Sequence, residues 1–192
     1  MTSVIINNIV TKNSLQTLNL DIPVKSSIIS STLNEAYKVV EEFTMKIAVA
    51  SDEKTHLTDF VVDYLEKAGH TISLYGPLAN NDLPWTLASE QLADAVATGE
   101  ADEGVLFCYT GTGASIAANK VPGIRAALCG DAQTAKGARW WNDANVLVMS
   151  LRATSPEVAG EILDAWFTET VRPDEVATIA HLKVIEARHT PK

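Results

Sequence analysis

The run Gly104-Val105-Leu106-Phe107-Cys108, followed at once by Tyr109-Thr110-Gly111-Thr112-Gly113-Ala114-Ser115, decides how this chain folds. Its first half is a short apolar run with no polar alternation, the pattern of a strand covered on both faces. Two glycines among small residues then let the backbone curl tightly and pass into a helix. A buried strand, a tight turn and a helix together make the repeating unit of a parallel α/β sheet.

The alternation continues in both directions. Upstream, Ile47 to Ala50 and Thr71 to Tyr75 read as strands, and between them Leu57, Phe60, Val61, Tyr64, Leu65 and Ala68 follow helical spacing behind Thr55 as N-cap, with Gly69 as the stop. Ala88, Leu92, Ala95 and Val96 mark a second helix ending at Gly99. Downstream, Ser115 to Lys120 is a short helix before a strand Ile124 to Cys129, and Asp131 to Trp140 a helix before a strand Asn145 to Met149. Ser155-Pro156 caps a helix running to about Phe167, and a last helix spans Asp174 to Arg188. The expected architecture is a Rossmann-like, open, five-stranded parallel sheet with helices on both faces, beginning at Met45 and filling residues 45–192. Ligands of such sheets bind beyond the carboxyl ends of strands, which directs attention to the loops after Ala50, Cys108, Cys129 and Met149. Residues 1–44, where Val4, Ile5, Ile6, Ile9 and Val10 sit among Asn, Ser and Thr, read as an N-terminal extension whose Ser31 to Phe43 part has helical spacing.

A chain of 192 residues with 46% apolar content supports one main core. Its formal charge of -9 and the absence of a basic patch argue against nucleic acid or anionic lipid as partners. No stretch approaches the roughly 18 apolar residues of a membrane span, and the N-terminus has no secretion-signal pattern, so a cytoplasmic protein is expected. Cys108 and Cys129, the two cysteines, read as reduced thiols at strand ends. With four scattered histidines, no metal site and no cofactor are expected.

The glycine turn carries the chemistry. Its N–H groups converge near a helix start, a cradle for a phosphate or for the negative oxygen that forms when a proton leaves the carbon beside a carbonyl. A thiol at the lip of that cradle sits in a field that favours the thiolate and can serve as a proton-abstracting base. A buried, inert small side chain is the alternative for Cys108, and the better reading for Cys129. The catalytic reading requires the Cys108 sulfur to open on a cavity.

The segment from Gly99 to Cys129, with its ordered string Ser115-Ile116-Ala117-Ala118-Asn119-Lys120 and Gly123-Ile124-Arg125, together with Asn142-Asp143-Ala144-Asn145-Val146, resembles the ribose-5-phosphate isomerase B and galactose-6-phosphate isomerase family. The likeness covers roughly Met45 to Phe167. It implies a metal-free aldose–ketose isomerase acting on a small sugar or sugar phosphate through a cis-enediolate, in a homodimer or tetramer with sites at subunit interfaces. By position, Cys108 resembles the base, and Thr110 an assistant in proton delivery or ring opening. The amides of Gly111, Thr112, Gly113, Ala114 and Ser115 resemble the enediolate cradle. Asp52, Asn119 and Asn142 resemble groups that orient sugar hydroxyls, and Arg152 a phosphate-binding arginine. Helix-end caps or loop hydrogen bonds remain the alternative for Asp52, Asn119 and Asn142.

Several positions depart from the family pattern. The histidine that usually follows the first strand is Glu53, and the one credited with opening the sugar ring is Trp141. The C-terminal arginines are missing, with His181 and Lys183 as the available stand-ins. The resemblance therefore implies retained enediolate chemistry on a changed substrate. Two alternatives stand beside it: a non-catalytic sugar- or nucleotide-binding module stacking its ligand on Trp140-Trp141, or one subunit of a two-chain isomerase.

Overall fold

The computed structural model describes residues 44–189; the expected extension, apart from Thr44, lies outside them. Among these residues five strands and six α-helices alternate: β1 Lys46–Ala50, α1 His56–Lys67, β2 Thr71–Tyr75, α2 Trp85–Ala97, β3 Glu103–Cys108, α3 Thr112–Ala118, β4 Ala126–Leu128, α4 Ala132–Asn142, β5 Val146–Ser150, α5 Pro156–Thr168 and α6 Val176–His189. Every pairing is parallel and the strand order is β2-β1-β3-β5-β4, the expected five-stranded α/β sheet.

Successive residues of the central strands point to opposite faces, and the two cores follow that period of two. Ile47, Val49, Val105, Phe107, Leu147 and Met149 pack with α1, α4 and α5, where Val61, Leu65, Ile162, Leu163 and Trp166 are all inaccessible. Ala48, Ala50, Leu106, Cys108, Val146 and Val148 face α2 and α3.

Local chemistry fixes the helix starts. Thr55 and Thr58 exchange side-chain and backbone hydrogen bonds at the head of α1, while Asp131 accepts from the Thr134 amide at α4 and Ser155 from the Val158 amide at α5. Two elements depart from the sequence reading. Helix α3 begins at Thr112, three residues before the expected Ser115, because Gly111 takes a left-handed conformation (φ 77°) and caps it. Strand β4 is only three residues long, and the chain before it bonds irregularly: the Arg125 carbonyl takes the Asn145 amide, and the Arg125 amide donates to the Asn145 side chain.

At the far end of β3, Glu103 is 6% exposed. It pairs with Arg139 at 2.7 Å and accepts from the Trp166 indole. Burial raises its pKa above the usual carboxylate range and the Arg139 charge acts against that rise.

The order of the strands positions the site. From β2 the chain returns past β1 to form β3, so the loops leaving β1 and β3 diverge and open a crevice at their carboxyl ends. Asp52 leaves one side of that crevice, and Cys108 with its glycine turn leaves the other.

Candidate active site

The β3 turn is held by backbone bonds on its inner side. The Cys108 carbonyl accepts from the amides of Gly111 (3.1 Å) and Leu151 (3.0 Å), and the Tyr109 carbonyl accepts from the Arg152 amide (3.1 Å) and the Ser150 hydroxyl (2.9 Å). Gly111 is required twice over: its φ is left-handed, and a β-carbon there would come within 2.5 Å of Leu128 Cδ1. The Ser115 amide donates to the Gly111 carbonyl at 3.1 Å, and the Ser115 hydroxyl reaches toward the Ala126 carbonyl at 3.4 Å. Gly111 and Ser115 therefore build the cradle rather than line it. The amides of Thr110, Thr112, Gly113 and Ala114 have no acceptor among the described residues, as befits the unsatisfied first turn of a helix. Those four are the donors available to an oxyanion.

Asp52 faces this turn. Its Oδ2 accepts from the Tyr109 amide at 3.4 Å, and its Oδ1 is buried without a hydrogen-bond partner among the described residues. A buried carboxylate oxygen with no donor costs free energy that a ligand hydroxyl would recover. Thr55, not Asp52, caps α1, which removes the capping alternative for Asp52. Ser51 and the Glu53 backbone pin the loop by two mutual hydrogen bonds of 2.6 and 3.2 Å. Glu53 itself is exposed, and the neighbouring Lys54 pairs with Asp59 at 3.7 Å.

Cys108 is 7% exposed and packs against Ala48, Ala50 and Ala114 beneath the cradle. Neither of the two best-formed cavities has Cys108 in its lining. Cys129 is fully buried, and burial followed by the charge of Asp131 pushes its thiol up to about 12, so it is inert as expected.

The remaining expected residues separate into two places. Thr110 and Arg152 line a cavity of about 420 Å³ with Gly130, Ser150 and Thr154. Here the Thr110 and Thr112 hydroxyls lie 2.7 Å apart, and the Arg152 guanidinium stands 5.8 Å from the Tyr109 ring. Asn119 and Asn142 lie instead along a groove of about 910 Å³ between β4, α4 and α6. The Asn119 amide group donates to the carbonyls of Ser115 (2.9 Å) and Ala126 (2.8 Å), and its oxygen accepts from the Ala126 amide (2.9 Å). It is thus spent on joining α3 to β4, about 10 Å along the helix from the cradle at the ordinary helical rise. Asn142 is exposed beside Trp141, which is 51% exposed. The tryptophans do not form one platform: their rings meet edge-on, and Trp140 lies between the cations of Lys136 (4.1 Å) and Arg172 (4.4 Å).

Sequence reasoning missed Trp85. It opens α2, is 43% exposed, and sets its ring 3.2 Å from where a Gly113 β-carbon would be. Pro84 immediately before it was the available signal, since proline sits well at the edge of a helix start.

A doubly wound parallel sheet with a glycine turn of free amides, a strand-end thiol and an unpartnered carboxylate at its switch point has the layout of an α/β enzyme. Comparison with known proteins makes this specific: residues 47–182 match the Ribose/Galactose Isomerase family, and the chain belongs to that family. It is 38% identical over 125 residues to a D-erythrulose-4-phosphate isomerase of Pectobacterium atrosepticum, covering 64% of this chain and 82% of that one. It is 41% identical over 106 residues to ribose-5-phosphate isomerase B of Escherichia coli, covering 55% and 71%. Among solved structures, the Clostridium thermocellum ribose-5-phosphate isomerase B superposes with a TM-score of 0.72 at 34% identity, covering 76% of this chain and all of that one. The enzyme class implied by the family resemblance therefore stands.

Proposed function

We propose that this protein interconverts an aldose phosphate and its ketose through a cis-enediolate, with Cys108 as the base. The Cys108 sulfur takes the proton from C2 of the aldose and the negative charge passes to O1. The enediolate oxygens rest on the amides of Thr110, Thr112, Gly113 and Ala114. The thiol then returns its proton to C1, O2 loses one, and the ketose leaves with no net oxidation. The adjoining Thr110 and Thr112 hydroxyls pass the proton between O1 and O2, Asp52 Oδ1 accepts a sugar hydroxyl, and Arg152 faces the phosphate. The observation that carries this reading is the four donor amides and the unpartnered Asp52 oxygen beside a single thiol.

The working form is a homodimer in which Trp141 and Asn142 of one copy close the crevice of the other. Supporting it, Leu182, Val184 and Ile185 on α6 and Leu128 on the edge strand are exposed in the single chain. The cytoplasm suits free Cys108 and Cys129, which stay reduced there. Purified protein assayed on tetrose, pentose and hexose phosphates is expected to turn over at least one of them. Cys108→Ala should lower kcat by about 10²–10⁴, the usual worth of a positioned general base. Unchanged turnover in that variant would remove the thiol from the mechanism.

A further inference from the structure

We infer that Glu169 is a positioning residue for the isomerase site, fixing through Trp140 the direction in which Trp141 is presented to a second copy of the chain. The inference rests on the dimeric reading above and adds to it a residue that lies outside the crevice.

Helix α4 buries Ala135, Gly137 and Ala138, and its last turn carries the two tryptophans. Glu169, just past the end of α5, grips that turn. One of its carboxylate oxygens pairs with Lys136 Nζ at 2.6 Å, the other accepts from the Trp140 indole N–H, and its carbonyl takes Arg139 Nε at 3.4 Å. Three residues on, the Arg172 amide donates to the Trp140 carbonyl at 2.9 Å. The Trp140 ring is left between the cations of Lys136 and Arg172, which fixes its tilt. Trp141 is held in turn by its neighbour and by the helix backbone. Its ring meets Trp140 edge-on, with 6.2 Å between centroids, and it lies on Gly137, where a β-carbon would come within 2.8 Å of Cζ3 and 3.0 Å of Cε3. Trp141 lines the groove between β4, α4 and α6, whereas Glu169 lines neither cavity, so its route to the groove runs through Trp140.

Stability gives little reason for so many contacts. The Lys136 and Glu169 side chains are 32% and 20% exposed, and an ion pair partly open to solvent is worth little to the fold. Holding long side chains in a single arrangement also costs rotamer freedom. What the contacts do supply is a fixed register. Arg172 stands four residues before the start of α6, so the same clamp holds the last turn of α4 and the base of α6, the two elements that the proposed dimer gives to its partner. The Lys136 hydrogen bond lowers the Glu169 pKa, and the clamp carries its charge at neutral pH.

The test is a double-mutant cycle on the full chain, with Glu169→Ala, Glu169→Gln, Trp141→Ala and the paired variants. Each is assayed on whichever sugar phosphate the native protein turns over, at protein concentrations where activity per chain is constant. Glu169→Ala should lower kcat/KM by about tenfold or more, since a displacement of about 1 Å costs up to about 10² in a positioned site. Glu169→Gln, whose amide oxygen still accepts from Trp140, should lose less. In the Trp141→Ala background the loss from Glu169→Ala should shrink below about twofold, because a residue acting through Trp141 has nothing left to hold. The near-UV circular dichroism of the edge-on tryptophan pair should weaken in Glu169→Ala and persist in Glu169→Gln. Should Glu169→Ala fold poorly, Glu169→Gln in the two backgrounds closes the same cycle. Native kinetics in Glu169→Ala, or equal losses with and without Trp141, overturns the inference and leaves the isomerase reading intact. Native kinetics in Trp141→Ala overturns the dimeric role of Trp141 and the inference with it, and no turnover of any sugar phosphate by the native protein overturns the isomerase reading itself.

Discussion

Gly111→Ala tests whether the cradle is a built device or an ordinary turn. At φ 77° an alanine pays about 1–2 kcal/mol for left-handed backbone. Its β-carbon would also stand 2.5 Å from Leu128 Cδ1 and 3.3 Å from the Met149 carbonyl oxygen. Leu128 is 38% exposed and can swing away, whereas the Met149 backbone belongs to a central strand and cannot. Overpacking of this kind adds about 1–3 kcal/mol, so the whole change costs about 2–5 kcal/mol. For a domain of this size that lowers Tm by about 5–15 °C. Gly123→Ala is the control, with φ 85° but open space around the added carbon, and should lose only the backbone cost of about 1–2 kcal/mol. Thermal melts separate the two, and Gly111→Ala/Leu128→Ala should recover part of the crowding. Activity discriminates further: displaced amides should cost Gly111→Ala about 10²–10³ in kcat, the worth of a lost oxyanion donor, while Gly123→Ala stays active. If Gly111→Ala melts and turns over like Gly123→Ala, the cradle is not what this geometry says.

Arg139→Met strips the partner from buried Glu103 and should cost about 3–5 kcal/mol near neutral pH. Burial raises the Glu103 pKa, and losing Arg139 raises it further. A carboxyl with a raised folded pKa contributes stability that is present below its unfolded value and lost as pH rises through the folded one. The variant should therefore narrow its deficit on acidification from pH 7 toward 5; a deficit independent of pH in urea melts would contradict the pairing. Co-expression of Cys108→Ala with Asn142→Ala probes the proposed dimer. If each site takes its thiol from one copy and its asparagine from the other, statistical mixing restores about a quarter of native activity from two inactive variants. No recovery in a verified mixed dimer would place both residues in separate roles.

The legible parts of the sequence were those whose structure is set locally or by burial on both faces. Strands β1 and β3 read correctly because Ile47–Ala50 and Val105–Cys108 are apolar throughout, and α1 and α5 because Thr55 and Ser155 announce themselves as caps. The start of α3 did not, because Ser115 looks like an N-cap while the real cap is a glycine whose φ depends on the packing of Leu128 and Met149. The cradle's members were likewise overcounted: Gly111 and Ser115 belong to the turn motif, yet their amides are consumed by Cys108 and by Gly111 itself. Asn119 shows the same limit, since only the position of β4 reveals that its amide is fully engaged. Trp85 lies 28 residues from Gly113 in sequence, and no local pattern joins them.

The division between what this chain keeps of the family pattern and what it changes has a physical cause. The Cys108 and Tyr109 carbonyls each accept two hydrogen bonds, two of the four from Leu151 and Arg152 just after β5 and one from Ser150 at its end, so the turn is part of the sheet's own bonding. Altering it disturbs β3 and β5 together. The departures fall elsewhere: Glu53 is on an exposed loop, Trp141 is half exposed at the end of α4, and α6 has no buried residue. Substitution at such positions costs within about 0.5 kcal/mol of stability. The groups that stabilise an enediolate are thus tied to folding, whereas those that meet the rest of the sugar are not. In a fold arranged this way the choice of substrate can drift while the reaction stays fixed.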